Sequence, residues 1–91
     1  MNRDAAETVA IQAIAHVVGD DDLLQGLLAQ TGMDLTDLRE GIGTIGVQVG
    51  VLDFLLSHEP FLMAFVEAIG CTPETPARAQ MVLSGGPVWQ D

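Results

Sequence analysis

The sequence contains no lysine and no tyrosine, and it has only one cysteine and three arginines among its 91 residues. Because thirteen aspartates and glutamates oppose those arginines, the formal net charge is −10. Nucleic-acid phosphates and anionic membrane surfaces are bound mainly through Lys and Arg, and a negative protein repels both. We therefore expect no direct nucleic-acid binding and no membrane binding. The partner that such a charge favours is a protein, and a basic protein would be complementary to it.

A single cysteine, Cys71, excludes an intrachain disulfide and any zinc site built from several cysteines. Neither His16 nor His58 belongs to a pair with the spacing of metal ligands, so we expect no metal. Cys71 comes shortly before a predicted helix, and a thiol near a helix N-terminus is more readily ionised. Either histidine could also activate it. Cysteine-dependent catalysis is therefore one alternative. Because most cysteines are inert packing residues, we predict a non-enzymatic protein.

The glycines between Gly41 and Gly50 do not follow the spacing of a dinucleotide-binding loop or a Walker loop, and no lysine follows them. We therefore expect no cofactor. The longest apolar stretch, residues 42–56, contains Gln48 and Asp53 and is too short and too polar for a bilayer span. The first residues also lack the pattern of a signal peptide, so we expect a cytoplasmic protein.

Hydrophobic residues make up 48% of the chain, far more than in a disordered protein, and its length suits one domain. Helix caps and helix-ending glycines recur along it, whereas no segment alternates like a strand. We predict an all-α bundle of five or six short helices over residues 1–84, followed by a C-terminal tail over residues 85–91. The predicted caps are Asn2 or Asp4, Asp20, Asp34, Thr44 and Thr72, and the predicted terminators are Gly19, Gly32 and Gly70.

The segment from Ile45 to Leu56 is apolar around most of its circumference, which predicts a helix at the centre of the bundle. Four polar or small residues share one narrow arc, namely Gly46, Gly50, Asp53 and Ser57, and Gln48 is the polar exception on the rest of the circumference. Glycine is unfavourable inside a helix, so we expect a neighbouring helix to pack closely over Gly46 and Gly50. The alternative is a cleft floored by these glycines, with Asp53 at its edge.

The first predicted helix has a broad apolar arc that includes Ile11 and Val18. Four further apolar residues, Leu62, Met63, Met81 and Trp89, are candidates for a surface that contacts a second chain. The basis is a high apolar fraction in a small domain, because large exposed apolar patches usually mark interfaces. The most direct functional prediction is therefore a protein–protein interaction module or a homo-oligomer, with an unidentified partner.

Asp20, Asp21 and Asp22 form the densest acidic run. One hypothesis is an acidic surface that mimics nucleic acid and occupies the basic groove of a partner. The simpler interpretation is a helix start, in which Asp20 is the cap and two acids suit the helix dipole. The two interpretations predict different positions for the remaining acids. Helix starts predict acids that are scattered over the surface, whereas a nucleic-acid mimic predicts acids in a stripe.

A recognisable set of residues is spread over nearly the whole chain: Ala6-Glu7, Ile11, Ala13, Gly32, Asp34, Asp37-Leu38-Arg39, residues 51–56, Phe61-Leu62, Phe65, Gly70, and Gly85-Gly86 with Trp89. In these residues the chain resembles domain-of-unknown-function family 3572. These are core and capping positions rather than a chemical motif. The resemblance implies a small helical bacterial protein, mainly alphaproteobacterial, with no established activity.

Overall fold

The computed structural model describes residues 1–85, and within them the chain forms six helices and no strand. The predicted all-α fold in a single domain is confirmed. Of the predicted tail, only Gly85 lies among the described residues. The helices are α1 (Arg3–Val18), α2 (Asp21–Thr31), α3 (Leu35–Glu40), α4 (Ile45–Leu56), α5 (Glu59–Ile69) and α6 (Glu74–Leu83).

Four of the six helices begin at side-chain caps that were predicted. The Asn2 carboxamide oxygen accepts from the Ala5 amide at 2.7 Å, and Asp20 and Thr44 cap α2 and α4 in the same manner. Asp34 caps α3, and the Asp37 side chain accepts in return from the Asp34 amide, which completes a capping box. These caps satisfy amide groups that have no partner within the helix.

The predicted cap of α6, Thr72, is wrong. Pro73 occupies the cap position and no side chain caps this helix. The Thr72 backbone carbonyl instead accepts from the Thr75 amide at 3.0 Å, so a backbone turn leads into α6. The helix can start here without a cap because Pro73 already has helical dihedral angles and Pro76 has no amide hydrogen to satisfy.

Two helices share the centre of the bundle. α4 packs against α1, α2, α5 and α6, as predicted for a central helix, but α1 also packs against four neighbours, and its contact with α6 is the most extensive in the fold. The buried face of α1 carries Ala6, Ala10 and Ala13, all without exposed surface, and α6 contributes the equally buried Ala79. Small side chains on these faces let the two helix axes approach closely.

Ile11 and Val18 belong to the predicted apolar arc of α1, but 45% and 43% of their surfaces are exposed. α1 buries Ala6, Val9, Ala10, Ala13, Ile14 and Val17. Those six residues fill the arc that faces the bundle, so the remaining apolar side chains of α1 lie on its outer side. The sequence carries more apolar residues than the buried arc can hold.

The expected close packing over Gly46 and Gly50 is also wrong. A Cβ added at either glycine would meet no other atom within 4 Å. Close approach occurs at two other glycines. A Cβ at Gly26 would lie 3.2 Å from the ring of Phe54, and one at Gly41 would collide with the Val47 side chain.

Candidate interaction surfaces

Of the predicted contact residues, Leu62 and Met63 lie on different sides of α5. Leu62 is half-buried and packs against the core, whereas 39% of Met63 is exposed. Glu59 and Glu67, one turn before and one turn after Met63, are also exposed. Met63 is therefore an isolated apolar residue between two acids, and Leu62 contributes mainly to packing.

Met81, on the outer side of α6, is 46% exposed. Arg78 and Glu74 precede it at intervals of three and seven residues, and both are exposed, so this side of α6 is mixed in character. α5 and α6 do not pack extensively against each other. Trp89 lies outside the described residues.

The outer side of α1 carries an apolar surface that the sequence analysis missed. Ile11, Ala15 and Val18 are spaced by four and three residues, which places them on one side of a helix, and all three are exposed. Thr8 and Gln12, also exposed, complete this surface, which we call the α1 face. A signal was present in the sequence, because no Asp, Glu, Lys or Arg occurs between Thr8 and Gly19.

The acids lie mainly at helix starts. Asp20 accepts from the Asp22 and Leu23 amides at 3.0 and 3.2 Å, and Asp21 and Asp22 occupy the first turn of α2. Eight of the thirteen acids are caps or first-turn residues: Asp4, Asp20, Asp21, Asp22, Asp34, Asp37, Glu59 and Glu74. Carboxylates at these positions interact favourably with the helix dipole. Their placement favours a structural role for the acidic triplet.

Asp53 lies on the exposed side of α4, where its carboxylate accepts from the Gln80 side-chain amide at 2.9 Å. This hydrogen bond joins α4 to α6. The described residues enclose no pocket, so the cleft that was the alternative at Asp53 has no counterpart in this part of the chain. Gly50, one turn before Asp53, is half-buried with open space above it.

The three residues considered for thiol chemistry pack against different neighbours. The ring of His58 stacks on Phe61 with centroids 5.1 Å apart, and its Nδ1 lies 2.9 Å from the Phe54 carbonyl oxygen. His16 packs its ring on Phe65 at 5.4 Å. Cys71 is half-buried against the core and makes no side-chain hydrogen bond to either histidine. Over residues 1–85, no three His, Cys, Asp or Glu side chains are arranged as a metal site.

Gln48, the polar exception on the apolar circumference of α4, is buried. Only 1% of it is exposed, and its amide nitrogen donates to the Ile42 carbonyl at 2.9 Å, which ties the loop before α4 to that helix. Its side-chain oxygen has no partner among the described residues. A buried polar atom without a partner is unfavourable, so this oxygen reduces the stability that the core gains around Gln48.

Within residues 1–85, no helix by itself has the length and hydropathy of a membrane span. α4 and α5 meet those limits only as a pair that bends by 110° at the break between them.

The fold and these surfaces define a small all-helical domain with apolar side chains on its outer helix faces. Residues 3–86 match the family described as protein of unknown function (DUF3572), and the chain belongs to that family. The resemblance found in the sequence is thereby confirmed. No curated protein and no solved structure matches the chain.

Proposed function

We propose that this protein acts in the cytoplasm by binding another polypeptide and that it is not an enzyme. The observation that carries the proposal is the amount of apolar side chain left on the outside of so small a fold. At least 37% of each of eight large hydrophobic residues is exposed: Met1, Ile11, Val18, Leu35, Ile42, Ile45, Met63 and Met81. Apolar surface of this kind is typical of protein interfaces, because its removal from water drives association.

The side-chain chemistry also supports binding over catalysis. Histidines and the cysteine are held in separate packing contacts, and the carboxylates lie mainly at helix starts. Catalytic sites bring titratable groups together in one concave place. The alternative, an acidic surface that binds a basic partner, has less support because helix capping already accounts for most of the acids.

Affinity purification of the tagged chain from its native host tests the proposal. The bait would be the unaltered protein and three variants, Ile11→Asp, Met63→Asp and Met81→Asp. The matched control is Gln25→Asp, which adds the same charge at an exposed polar position. We expect one polypeptide to stay bound at moderate salt to the unaltered protein and to the control. At least one of the three variants should no longer retain it.

A partner that elutes at moderate salt from every bait would instead support the acidic-surface alternative, because salt screens exposed charges. If no polypeptide co-purifies and the chain sediments as a monomer at high micromolar concentration, the proposed function is overturned. Circular dichroism of each variant ensures that a lost partner does not reflect a lost fold.

A further inference from the structure

The neighbours of the His58 ring fix its tautomer. Nδ1 lies 2.9 Å from the Phe54 carbonyl oxygen, and because a carbonyl can only accept, Nδ1 carries the proton. The Ser57 hydroxyl donates to the same carbonyl at 3.0 Å, which leaves its oxygen able to accept from Nδ1 at 3.2 Å. In the neutral ring the second nitrogen, Nε2, therefore has a lone pair and can only accept.

Two aromatic rings hold this imidazole in place. Its centroid lies 5.0 Å from that of Phe54 and 5.1 Å from that of Phe61, on which it is stacked. Phe54 is buried and Phe61 is half-buried against the core, so both rings are themselves anchored. His58 therefore presents Nε2 in one direction, and little side-chain freedom is lost when a ligand binds to it.

Nε2 of His58 is open to a ligand. It has no hydrogen-bond partner among residues 1–85, and it is not one of the unpartnered polar atoms that those residues bury. Nε2 of His16 differs, because it is buried without a partner and its ring packs on Phe65. Of the two histidines, only His58 offers this acceptor at the surface.

We propose that His58 receives an arginine side chain of the partner polypeptide, whose guanidinium donates to Nε2. The inference rests on the proposed function and names the chemical group that the partner presents. An acceptor nitrogen requires a donor, and the guanidinium of arginine carries five N–H groups and no acceptor.

The charge around His58 favours a cation. Glu59 follows it directly and is exposed, and the one ion pair within residues 1–85 joins Arg3 to Glu7, so no arginine there neutralises Glu59. The negative end of α4 and the positive end of α5 meet at this corner and oppose each other, so the helix dipoles do not decide the sign of the ligand. The net charge of −10 draws cations toward the whole domain.

The aromatic stack favours arginine over lysine. A planar guanidinium can lie on the half-buried Phe61 ring while it donates to Nε2, whereas an ammonium group has no flat face. Glu59 also lies one turn before the exposed Met63, on the same side of α5. One partner can therefore cover Met63 and place an arginine at His58.

Long-range proton–nitrogen NMR of the histidine rings tests the inference at about pH 8.5, above the range in which an ordinary imidazole titrates. Without a ligand, we expect the proton of the His58 ring on Nδ1. On titration with N-acetyl-argininamide, the Nε2 signal of His58 should shift and saturate with a dissociation constant on the order of 10 mM, the weak affinity of one isolated contact. The His16 signals are the internal control and should stay in place, because its Nε2 is buried.

Two variants separate the two acceptors. His58→Asn keeps a side-chain N–H for the Phe54 carbonyl but has no atom in the place of Nε2, so the affinity should fall at least about fivefold. The backbone amide signals of residues 57–62 report binding in that variant, and their dispersion shows that it is folded. Glu59→Gln should weaken binding about threefold, and N-acetyl-lysinamide should bind the original chain about threefold more weakly than the arginine probe.

A proton on Nε2 of His58, an unmoved His58 signal, or full affinity in His58→Asn would each overturn the inference. Equal affinities for the arginine and lysine probes would overturn the choice of arginine. The proposed function is tested separately by affinity purification. If a polypeptide is retained there while the probe does not bind, only the inference at His58 fails. If the probe binds while the chain is monomeric and retains no polypeptide, the proposed function fails, so the two failures are distinguishable.

Discussion

Gly26 of α2 lies against the ring of Phe54 of α4, so closely that a Cβ at residue 26 would be 3.2 Å from Cζ and 3.5 Å from Cε1 of that ring. Phe54 is itself enclosed. Only 1% of it is exposed, and the rings of His58 and Phe61 lie 5.0 and 5.6 Å from its centroid. The glycine therefore allows α2 to pack on α4 through an aromatic ring that has little room to move.

We expect Gly26→Ala to lower the free energy of unfolding by about 1 kcal/mol. Alanine is favoured over glycine inside a helix by about 1 kcal/mol, but overpacking against a confined ring costs roughly 1–3 kcal/mol. Urea denaturation followed by circular dichroism measures the difference. A stabilised Gly26→Ala variant would show that the Phe54 ring can shift.

The opposite result is expected for Gly50→Ala. Gly50 lies in the middle of α4, its φ angle is not positive, and a Cβ there meets nothing within 4 Å. Only the preference for alanine over glycine inside a helix then acts, so the free energy of unfolding should rise by about 0.5–1 kcal/mol. The same denaturation experiment checks it. A loss of stability would mean that the face over Gly50 is covered in solution.

Asp20 provides a test of the structural role of the acids. Asp20→Ala should cost about 1 kcal/mol, because the Asp22 and Leu23 amides lose their acceptor, whereas Asp20→Asn keeps an acceptor and should stay within about 0.5 kcal/mol. Thermal unfolding of both variants makes the comparison. If the asparagine variant loses as much stability as the alanine variant, charge and not capping explains this residue.

Gln48→Glu should be strongly destabilising at neutral pH. The substitution removes the donor to the Ile42 carbonyl and buries a carboxylate, at a cost of at least about 2 kcal/mol. Near pH 4 a protonated carboxyl can again donate to that carbonyl, so the loss should shrink as pH falls. Gln48→Met is the control, because it loses the same donor and also removes the unpartnered oxygen without adding a charge, so we expect a loss of about 1 kcal/mol that is the same at both pH values. Denaturation of both variants at neutral pH and near pH 4 measures these losses of stability. Equal losses for Gln48→Glu at both would contradict this account.

The helix ends were predictable because they depend on neighbours in sequence. Asn2, Asp20, Asp34 and Thr44 each satisfy amides two or three residues ahead, and the residues after α2 and α5, Gly32 and Gly70, adopt positive φ angles. Such interactions are readable from a single sequence. The exception, Thr72, shows that a proline turn can replace a cap.

The surfaces were less predictable because they depend on which neighbour covers which side of a helix. α1 has apolar residues around much of its circumference, so its sequence alone did not assign Ile11 and Val18 to the outside. For the same reason Gly46 and Gly50 were expected under a neighbouring helix, whereas Gly26 is the glycine that lies under Phe54. Leu62 and Met63, adjacent in sequence, differ in burial because successive helical residues point in different directions.

The short α3 has a further consequence for the order in which the fold opens. Leu38 is its one buried residue, and its end at Gly41 depends on a turn with no room for a side chain. Few contacts therefore need to break before residues 35–40 lose their hydrogen bonds. In amide hydrogen exchange, we expect the amides of α3 to exchange through local openings, whereas the amides of α1 and α4 should exchange only through global unfolding. Uniform protection across all three helices would show that the domain opens only as one cooperative unit.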